Sequence, residues 1–334
     1  MKLFTNYSLL YNNTFHLDVK AARYIEYETI GELRHVSCVM QHEQLLHIGS
    51  GSNLLFTGDF SGTILHSTIR YIEIVAETSD TLDVRVGAGL VWDDFVAYSV
   101  TQNWQGAENL SQIPGEVGAA AVQNIGAYGM EVKDLIVSVE TMDMATGQIQ
   151  SFNQPECRYS YRSSIFKHEW KGRYTITGVV FRLQKKPLFN LTYGQLEQEV
   201  RKLGEVTAAN IRKAVISIRE RKLPNPTITG NAGSFFMNPV VSEVIYHDLL
   251  KDYPDMPCYK QHNSQVKIPA GWLIEQCGWK GRAIGRAAVH DKQALVLINT
   301  GGATGTEILQ LAKMIQLSVI EKFGIHILPE VNII

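Results

Sequence analysis

Two glycine-rich segments in the first half of the chain have the composition of nucleotide-binding backbone. The first is Gly49-Ser50-Gly51-Ser52-Asn53, in which glycines alternate with small polar residues. Glycine lets successive backbone N–H groups converge on an anion, and Ser and Asn side chains add donors. The segment predicts a diphosphate cradle, although a plain tight turn explains it equally well. No Gly-Lys-Ser/Thr follows and the third glycine of a dinucleotide fingerprint is missing, which excludes a Walker A loop and a Rossmann motif.

The second glycine-rich segment is longer and runs from Gly106 to Gly129. It contains five glycines and five alanines in 24 residues. So many small side chains predict a backbone that lies against a large flat group, with Gln123 and Asn124 available to hydrogen-bond its edge. Close packing of a helix on a strand is the alternative explanation.

Two further clusters supply charge and hydroxyl groups. The segment Tyr161-Arg162-Ser163-Ser164 combines an aromatic ring, a permanent cation and hydroxyls, and a surface loop would explain it equally well. The segment Gly233-Ser234-Phe235-Phe236 places a serine on a glycine-assisted turn, but no Gly-x-Ser-x-Gly surrounds it, which disfavours a hydrolase nucleophile. The ten histidines form no His-Glu-x-x-His motif, so no metal site is predicted.

The elements that must position these residues follow an α+β pattern. Residues 82–86 alternate like a half-buried strand, and Gly87-Ala88-Gly89 leads into a helix whose apolar face carries Trp92, Phe95, Val96 and Ser99. Two strands joined by a turn near Thr146-Gly147 are predicted for 135–152, and a third for 173–183.

The last third of the chain contains the clearest helix signals. A helix begins at Thr207 and ends before Pro224. A second begins with a capping box at Thr304 to Glu307, continues with an apolar stripe and ends at Gly324. An apolar strand ending Pro329-Glu330-Val331 is predicted to close the chain.

Composition sets the outer limits of function. The 334 residues have room for two or three domains, and a net charge of −2 provides no chain-wide field for nucleic acid or an anionic membrane. The apolar stretches are shorter than the roughly 20 residues of a spanning helix. The N-terminus has no signal-peptide pattern, and the four cysteines are scattered, as in reduced, buried thiols. These features predict a cytoplasmic protein with no nucleic-acid or membrane partner.

Taken in order, the motifs resemble those of the UDP-N-acetylenolpyruvoylglucosamine reductase family. The match runs from near Phe15 to the C-terminus and rests on five segments: 49–53, 113–129, 161–164, 233–239 and 329–331. In addition, Leu191-Thr192-Tyr193-Gly194 is similar to a loop of the longer branch of the family, whose tyrosine closes over the substrate.

This resemblance implies an α+β protein with a vanillyl-alcohol-oxidase-like (PCMH-type) FAD-binding fold of two subdomains and a C-terminal α/β substrate-binding domain. The subdomains would be 1–70, joined by a C-terminal strand 325–334, and 71–222 with the Tyr193 loop, and the substrate-binding domain would be 223–324. The family reduces the enolpyruvyl ether of UDP-N-acetylglucosamine enolpyruvate to UDP-N-acetylmuramate for peptidoglycan synthesis. The resemblance therefore implies noncovalent FAD and NADPH as reductant. We expect a monomer, although the sequence itself does not reveal the oligomeric state.

Site residues are implied by the same resemblance. FAD contacts would come from Gly49, Ser50, Gly51, Ser52, Asn53, Ile113, Pro114, Gly118, Ala119, Gln123, Asn124 and Gly126. Position 119 is Ala where the family commonly has serine, so a backbone N–H group would serve there. Substrate contacts would come from Tyr161, Tyr193, Arg219, Lys222, Asn238 and Lys280.

Three residues would carry the reaction. Hydride transfer to the enolpyruvyl group leaves a dienolate-like anion, which needs cationic or hydrogen-bonding partners. Arg162 would bind the carboxylate bidentately, and a protonated Glu330 would assist from the other side. Ser234 would donate the proton to the carbanion.

Two other functions compete with this interpretation. Another flavin oxidoreductase of the same cofactor fold, such as an alcohol or sugar oxidase, would need no Ser234 donor. Such enzymes often tether FAD through His or Cys, and neither residue occurs in the two glycine-rich segments. A nucleotide-binding regulator without redox function is the second competitor, and the presence of Arg162, Ser234 and Glu330 together argues against it.

Overall fold

The computed structural model of the chain describes residues 1–40, 43–261 and 264–334. Its strands are β1 (Lys2–Ser8), β2 (Lys20–Tyr27), β3 (Leu45–Ile48), β4 (Leu54–Leu55), β5 (Phe60–Ser67), β6 (Ile72–Glu77), β7 (Thr81–Gly87), β8 (Gly126–Ala127), β9 (Met130–Glu131), β10 (Ile136–Asp143), β11 (Ile149–Asn153), β12 (Tyr174–Gln184), β13 (Gly230–Ser234), β14 (Val240–Ser242), β15 (Tyr259–Lys260), β16 (Gln265–Lys267), β17 (Ala283–Ile284), β18 (Ala287–Val289), β19 (Val296–Asn299) and β20 (Asn332–Ile333). Its α-helices are α1 (Ile30–Val39), α2 (Trp92–Thr101), α3 (Val117–Gln123), α4 (Leu196–Lys202), α5 (Ala208–Lys222), α6 (Glu243–Leu249), α7 (Ala270–Gln276) and α8 (Gly305–Phe323). The predicted α+β class is confirmed.

The chain forms two units from interleaved segments. The first unit consists of residues 1–7, 21–50 and 61–221, and the second of residues 8–20, 51–60 and 222–334. The three-part division into two cofactor subdomains and a substrate domain stays a prediction.

The main sheet of the first unit is antiparallel, with strand order β11-β10-β12-β7-β6. It contains the three strands predicted from 135–152 and 173–183. Helix α2 packs on it through the four predicted face residues, which are buried because a helical repeat of 3.6 residues brings them to one side. The Trp92 indole also donates a hydrogen bond of 2.8 Å to the carbonyl of Leu110, so α2 positions the second glycine-rich segment.

A second sheet of the first unit has strand order β1-β2-β5-β3, with β3 parallel to β5. Strand β3 ends at Ile48, so Gly49 and Ser50 follow directly from the end of a strand.

Helix α5 begins as predicted, with the Asn210 N–H group donating to Thr207 Oγ1 at 3.1 Å. Its apolar face packs against α4. Arg212 on its other side makes two bonds to the Asp93 carboxylate of α2, at 2.5 and 2.8 Å, and the Gln112 N–H group donates to the same carboxylate. Asp93 therefore connects α5 to the start of the segment that contains Ile113 and Pro114, and this pairing holds the pKa of the Asp93 carboxyl below its usual value despite burial.

The second unit is built on the sheet β13-β19-β18-β17, which α8 covers. Helix α8 has the predicted capping box at Thr304 and Glu307, and Gly324 ends it in the left-handed region with φ +66°. Its start lies so close to Phe56 that a Cβ on Gly305 would be 1.7 Å from the Phe56 carbonyl oxygen. Glycine is therefore required at this position.

Two expectations from the sequence need correction. The closing strand is β20, Asn332–Ile333, which pairs in parallel with β4, whereas 325–331 contains only an isolated bridge between Pro329 and Phe236. Proline has no N–H group to donate, so a regular ladder cannot run through Pro329. Of the four cysteines only Cys157 is buried, and Cys38 is exposed.

None of the helices in the described ranges is long and apolar enough to cross a membrane.

Candidate active site

In the first unit, two predicted cofactor residues carry buried polar atoms that the protein leaves unpaired. Within the described ranges, Ser50 Oγ and Gln123 Oε1 are buried and have no hydrogen-bond partner. Such a group costs about 1–3 kcal/mol when nothing satisfies it. Both atoms therefore fit a bound group that offers hydrogen bonds, as the phosphates and ring edges of a nucleotide cofactor do.

Helix α3 contains the small residues of the second glycine-rich segment. A Cβ on Gly118 would lie 3.0 Å from the Ala88 Cβ atom, so this glycine serves close packing of the helix on the turn after β7. Ala119 is half-buried and Pro114 is exposed. The helix-on-strand explanation thus accounts for Gly118.

Asn124 ends α3 in the left-handed region, with φ +45°, and is completely buried. Its amide donates to Glu131 at 3.0 Å and to the Ser160 carbonyl at 2.8 Å, and its oxygen accepts from the Lys133 N–H group. These bonds, with those of its main chain to Ala121 and Arg162, commit Asn124 to the protein itself, so its contact with a cofactor stays a prediction.

Arg162 is held in a strained conformation. It lies in the turn closed by hydrogen bonds between Ser160 and Ser163, and its φ is +55°, which costs a non-glycine residue about 1–3 kcal/mol. The guanidinium donates to the Gly126 carbonyl at 2.6 Å and lies 5.3 Å from the centre of the Tyr161 ring. A Cβ on Gly126 would be 2.8 Å from Arg162 Nη1, so a side chain there would displace the cation.

A second predicted residue, Tyr193, contacts the tip of the hairpin of β8 and β9. Tyr128 and Gly129 form the turn, both with positive φ, and the Tyr128 ring meets the Tyr193 ring edge-on at 6.1 Å. Asn109 donates to the carbonyls of Tyr128 and Asn190 at 2.9 and 2.8 Å, which ties the Tyr193 loop to the hairpin. Sequence reasoning missed Tyr128, Asn109 and Asn190. The Tyr-Gly pair was the available signal, because a hairpin turn of this kind requires positive φ at both residues.

Arg219 lies on the last turns of α5. Its Nε is buried and has no hydrogen-bond partner among the described residues, and burial lowers the pKa of its guanidinium. Burial also raises the pKa of Tyr128, and the nearby charge of Arg219 opposes that rise. A cation in this position is stabilised by an incoming anion. The structure thus brings Tyr193, Arg219 and Arg162 to one hairpin of the first unit.

In the second unit, three predicted residues that are distant in sequence are brought together. Ser234 is the last residue of β13, and the carbonyl of the following Phe235 accepts from the Glu330 N–H group at 2.8 Å. Asn53 donates from its amide to the Glu330 carbonyl at 3.2 Å. Gly233, with φ +67°, has open space where a side chain would be, which leaves this turn accessible.

The remaining predicted substrate residues are more peripheral in their own units. Asn238 Oδ1 accepts from the Ala270 N–H group at 2.9 Å, at the start of α7. Lys280 is exposed and pairs with Glu275 at 2.9 Å, and Lys222 is exposed at the end of α5.

Gly51 is required by the chain itself. Its φ is +69°, and a Cβ would lie 2.1 Å from the Asn12 carbonyl oxygen. Gly51→Val is therefore expected to abolish FAD retention and to lower the melting temperature, because a β-branched residue is strained here and must displace Asn12. The ratio of flavin to protein absorbance measures the first effect. Gly58→Val is the control, since Gly58 has open space around it. Stoichiometric FAD in purified Gly51→Val would contradict the prediction.

Comparison with known proteins identifies the family. Residues 225–334 match the model of the UDP-N-acetylenolpyruvoylglucosamine reductase C-terminal domain, and residues 21–153 match that of an FAD binding domain. A UDP-N-acetylenolpyruvoylglucosamine reductase of Bacteroides fragilis is 55% identical over 329 residues, 98% of this chain and 99% of the relative. The chain belongs to the UDP-N-acetylenolpyruvoylglucosamine reductase family.

Other members of the reductase family support the same conclusion. The Porphyromonas gingivalis reductase is 46% identical over 337 residues, with 100% of both chains covered. The crystal structure of the reductase from Thermus caldophilus shares the fold, with a TM-score of 0.70, 21% identity, and coverage of 99% and 98% of the two chains. The predicted resemblance, the FAD-binding fold and the FAD cofactor are therefore confirmed, and the chain is an oxidoreductase of this reductase family.

Proposed function

We propose that the chain reduces UDP-N-acetylglucosamine enolpyruvate to UDP-N-acetylmuramate in peptidoglycan precursor synthesis, with NADPH as reductant. The observation that carries this proposal is the strained Arg162, whose guanidinium is held over Gly126 where glycine alone leaves room for it. Strained residues persist where function repays their cost. The family relatives named above support the choice of substrate.

FAD would be held without a covalent bond by the residues that the resemblance implies, including Ser50 and Gln123, whose buried unpaired atoms fit it. When bound, FAD would take a hydride from NADPH and pass it to the terminal enolpyruvyl carbon. The protein's task is to stabilise the negative charge that this transfer leaves on the adjacent carbon and carboxylate.

Three residues would stabilise that negative charge. Arg162 binds the carboxylate with its planar, permanently charged guanidinium. Glu330, in its protonated form, donates a hydrogen bond to the same group without repelling it. Ser234 gives its hydroxyl proton to the carbanion, whose high basicity lets a weak acid serve.

The substrate diphosphate would be bound by the cations and hydroxyls that the resemblance implies: Tyr161, Tyr193, Arg219, Lys222, Asn238 and Lys280. Arg219 has the best support, because its buried Nε has no partner among the residues that the structure describes. We also propose that the enzyme acts as a monomer in the cytoplasm. Through its product it would contribute to cell-wall growth, cell shape and division.

An absorbance experiment tests the proposed function. The purified protein should show flavin bands that NADPH bleaches and that UDP-N-acetylglucosamine enolpyruvate restores. An alcohol or sugar oxidase would be reduced by its own substrate and reoxidised by oxygen, and a regulator without redox function would show no bleaching. Bands that NADPH bleaches but the enolpyruvyl substrate leaves bleached would contradict the assigned substrate.

Tyr193→Phe is expected to raise the substrate KM by about 10- to 100-fold and to leave flavin reduction by NADPH unchanged. The reason is the loss of one hydroxyl hydrogen bond to a charged group, worth about 1.5–3 kcal/mol, while the ring keeps its contact with Tyr128. Steady-state kinetics and rapid mixing with NADPH measure the two effects. Tyr98→Phe is a matched control, because Tyr98 is 41% and Tyr193 44% exposed. Equal losses in both measurements would argue against a substrate-closing loop.

A further inference from the structure

Three polar side chains form a hydrogen-bonded chain inside the first unit. The Tyr24 hydroxyl lies 2.8 Å from His66 Nδ1, and His66 Nε2 lies 2.8 Å from Glu116 Oε1. Tyr24 and Glu116 are buried, and the His66 side chain is only 12% exposed. The chain connects β2, β5 and the residue that precedes α3.

The direction of these bonds follows from the chemistry of the groups. An ionised carboxylate only accepts, so His66 Nε2 donates to Glu116. The Nδ1 atom of the neutral ring then accepts from Tyr24, whose hydroxyl keeps its proton because burial raises its pKa. On protonation of Nδ1, the Tyr24 hydroxyl turns from donor to acceptor.

Glu116 lies between two segments that we propose to hold FAD. A Cβ on Gly49 would be 3.1 Å from Glu116 Oε2 and 3.5 Å from the Ala119 Cβ atom. The carboxylate therefore faces the turn that contains Gly49 and the unpaired Ser50 hydroxyl. A negative charge here repels an approaching diphosphate, and a buried carboxylate without a partner is costly.

We propose that His66, oriented by Tyr24, is a positioning residue for FAD that fixes Glu116 against the Gly49-Ser50 turn and takes up a proton from solvent as FAD binds. The diphosphate then meets an imidazolium–carboxylate pair with no net charge. This inference rests on the proposed placement of FAD at Gly49, Ser50 and α3.

Other charged groups also face His66. From β2, Glu26 Oε1 lies 3.9 Å from Nδ1, and Lys2 lies 3.3 Å from the other Glu26 oxygen. From β3, the titratable His47 also interacts with His66. Glu116 makes the shortest contact with the His66 ring among these charged groups, so it dominates.

The dissociation constant of FAD tests the proposal when it is measured between about pH 5.5 and pH 8.5, the range in which histidine titrates. It is obtained from the fluorescence of the flavin that the holoenzyme releases on dilution. In the unmodified protein the constant should rise with pH by up to about tenfold per unit, because binding takes up a proton. His66→Gln should bind FAD about tenfold more weakly at the acidic end and lose the pH dependence. Tyr24→Phe should bind a few-fold more weakly.

Tyr7→Phe is the control, because the Tyr7 ring stacks on Tyr24 at 4.3 Å but takes no part in the chain of hydrogen bonds described above. It should match the unmodified protein. Should His66→Gln fail to fold, Glu116→Gln keeps an acceptor for His66 and removes the negative charge at the turn, so it should bind FAD more tightly than the unmodified protein at pH 8.5.

An unchanged pH profile in His66→Gln would overturn the proposal, as would a lower melting temperature of that variant with an unaltered FAD constant. FAD binding by Glu116→Gln no tighter than that of the unmodified protein at pH 8.5 would also overturn it. Failure of the unmodified protein to bind FAD would instead refute the proposed function itself.

Discussion

Replacing Ser234 by alanine should slow reoxidation of the reduced flavin by the enolpyruvyl substrate by about 10²- to 10⁴-fold, the range of a lost general acid. Flavin reduction by NADPH should stay nearly unchanged, because no proton has to reach a carbanion in that half-reaction. Ser234 is suited to this role because it is the last residue of β13 and follows Gly233, which has open space where a side chain would be. The next residue, Phe235, accepts a hydrogen bond from the Glu330 N–H group.

Stopped-flow observation of the flavin bands separates the two half-reactions. Ser234→Cys should recover part of the rate, since a thiol is a stronger acid in nearly the same place. Ser242→Ala removes another hydroxyl of the second unit, one that caps α6, and should alter stability without changing either rate. Reoxidation of Ser234→Ala at the unmodified rate would make Ser234 a turn residue and Glu330 the next candidate donor.

Arg162→Lys is expected to slow the same reoxidation step by about 10²- to 10³-fold, comparable to the loss of one preorganised transition-state donor. Lysine keeps the charge but lacks the planar pair of donors that binds a carboxylate at two points. It also loses the bond from Nη2 to the Gly126 carbonyl, so the cation is no longer fixed in place.

Arg158→Lys is a close control for this experiment. Arg158 also has positive φ, +47°, but it is exposed and pairs with Glu169 at 3.0 Å. Stopped-flow reoxidation should therefore be normal in Arg158→Lys and slow in Arg162→Lys. A normal reoxidation rate in Arg162→Lys would show that a positive charge at this position suffices and that the planar guanidinium is not needed.

Local signals were sufficient for the elements that hold the site. The face of α2 and the capping box of α8 depend on residues three or four positions apart, so periodicity and cap chemistry predicted them correctly. The turn at Thr146-Gly147 was equally local, and Gly147 has the positive φ that such a turn favours.

Contacts between distant segments could not be predicted in this way. The Asn109 amide bonds two carbonyls, one of them 81 residues away, and nothing near Asn109 in sequence signals that partner. Gly51 was predicted to contact FAD, which stays a prediction, and the structure gives another reason for its small size, because the Asn12 carbonyl lies against it. The roles of Arg162, Ser234 and Glu330 came from resemblance and stay predictions.

The interleaved segments of the second unit impose an order on its folding. The Asn231 N–H group donates to the Thr14 carbonyl, and the Thr57 N–H group donates to Ile334, 277 residues away. During synthesis, residues 8–20 and 51–60 leave the ribosome early. The rest of the second unit follows only after the whole of the first unit has been made. Such long loop closures are slow. The C-terminal segment 225–334 matches one family model, yet its strands β13 and β20 complete their hydrogen bonds on segments 8–20 and 51–60, which emerge long before them.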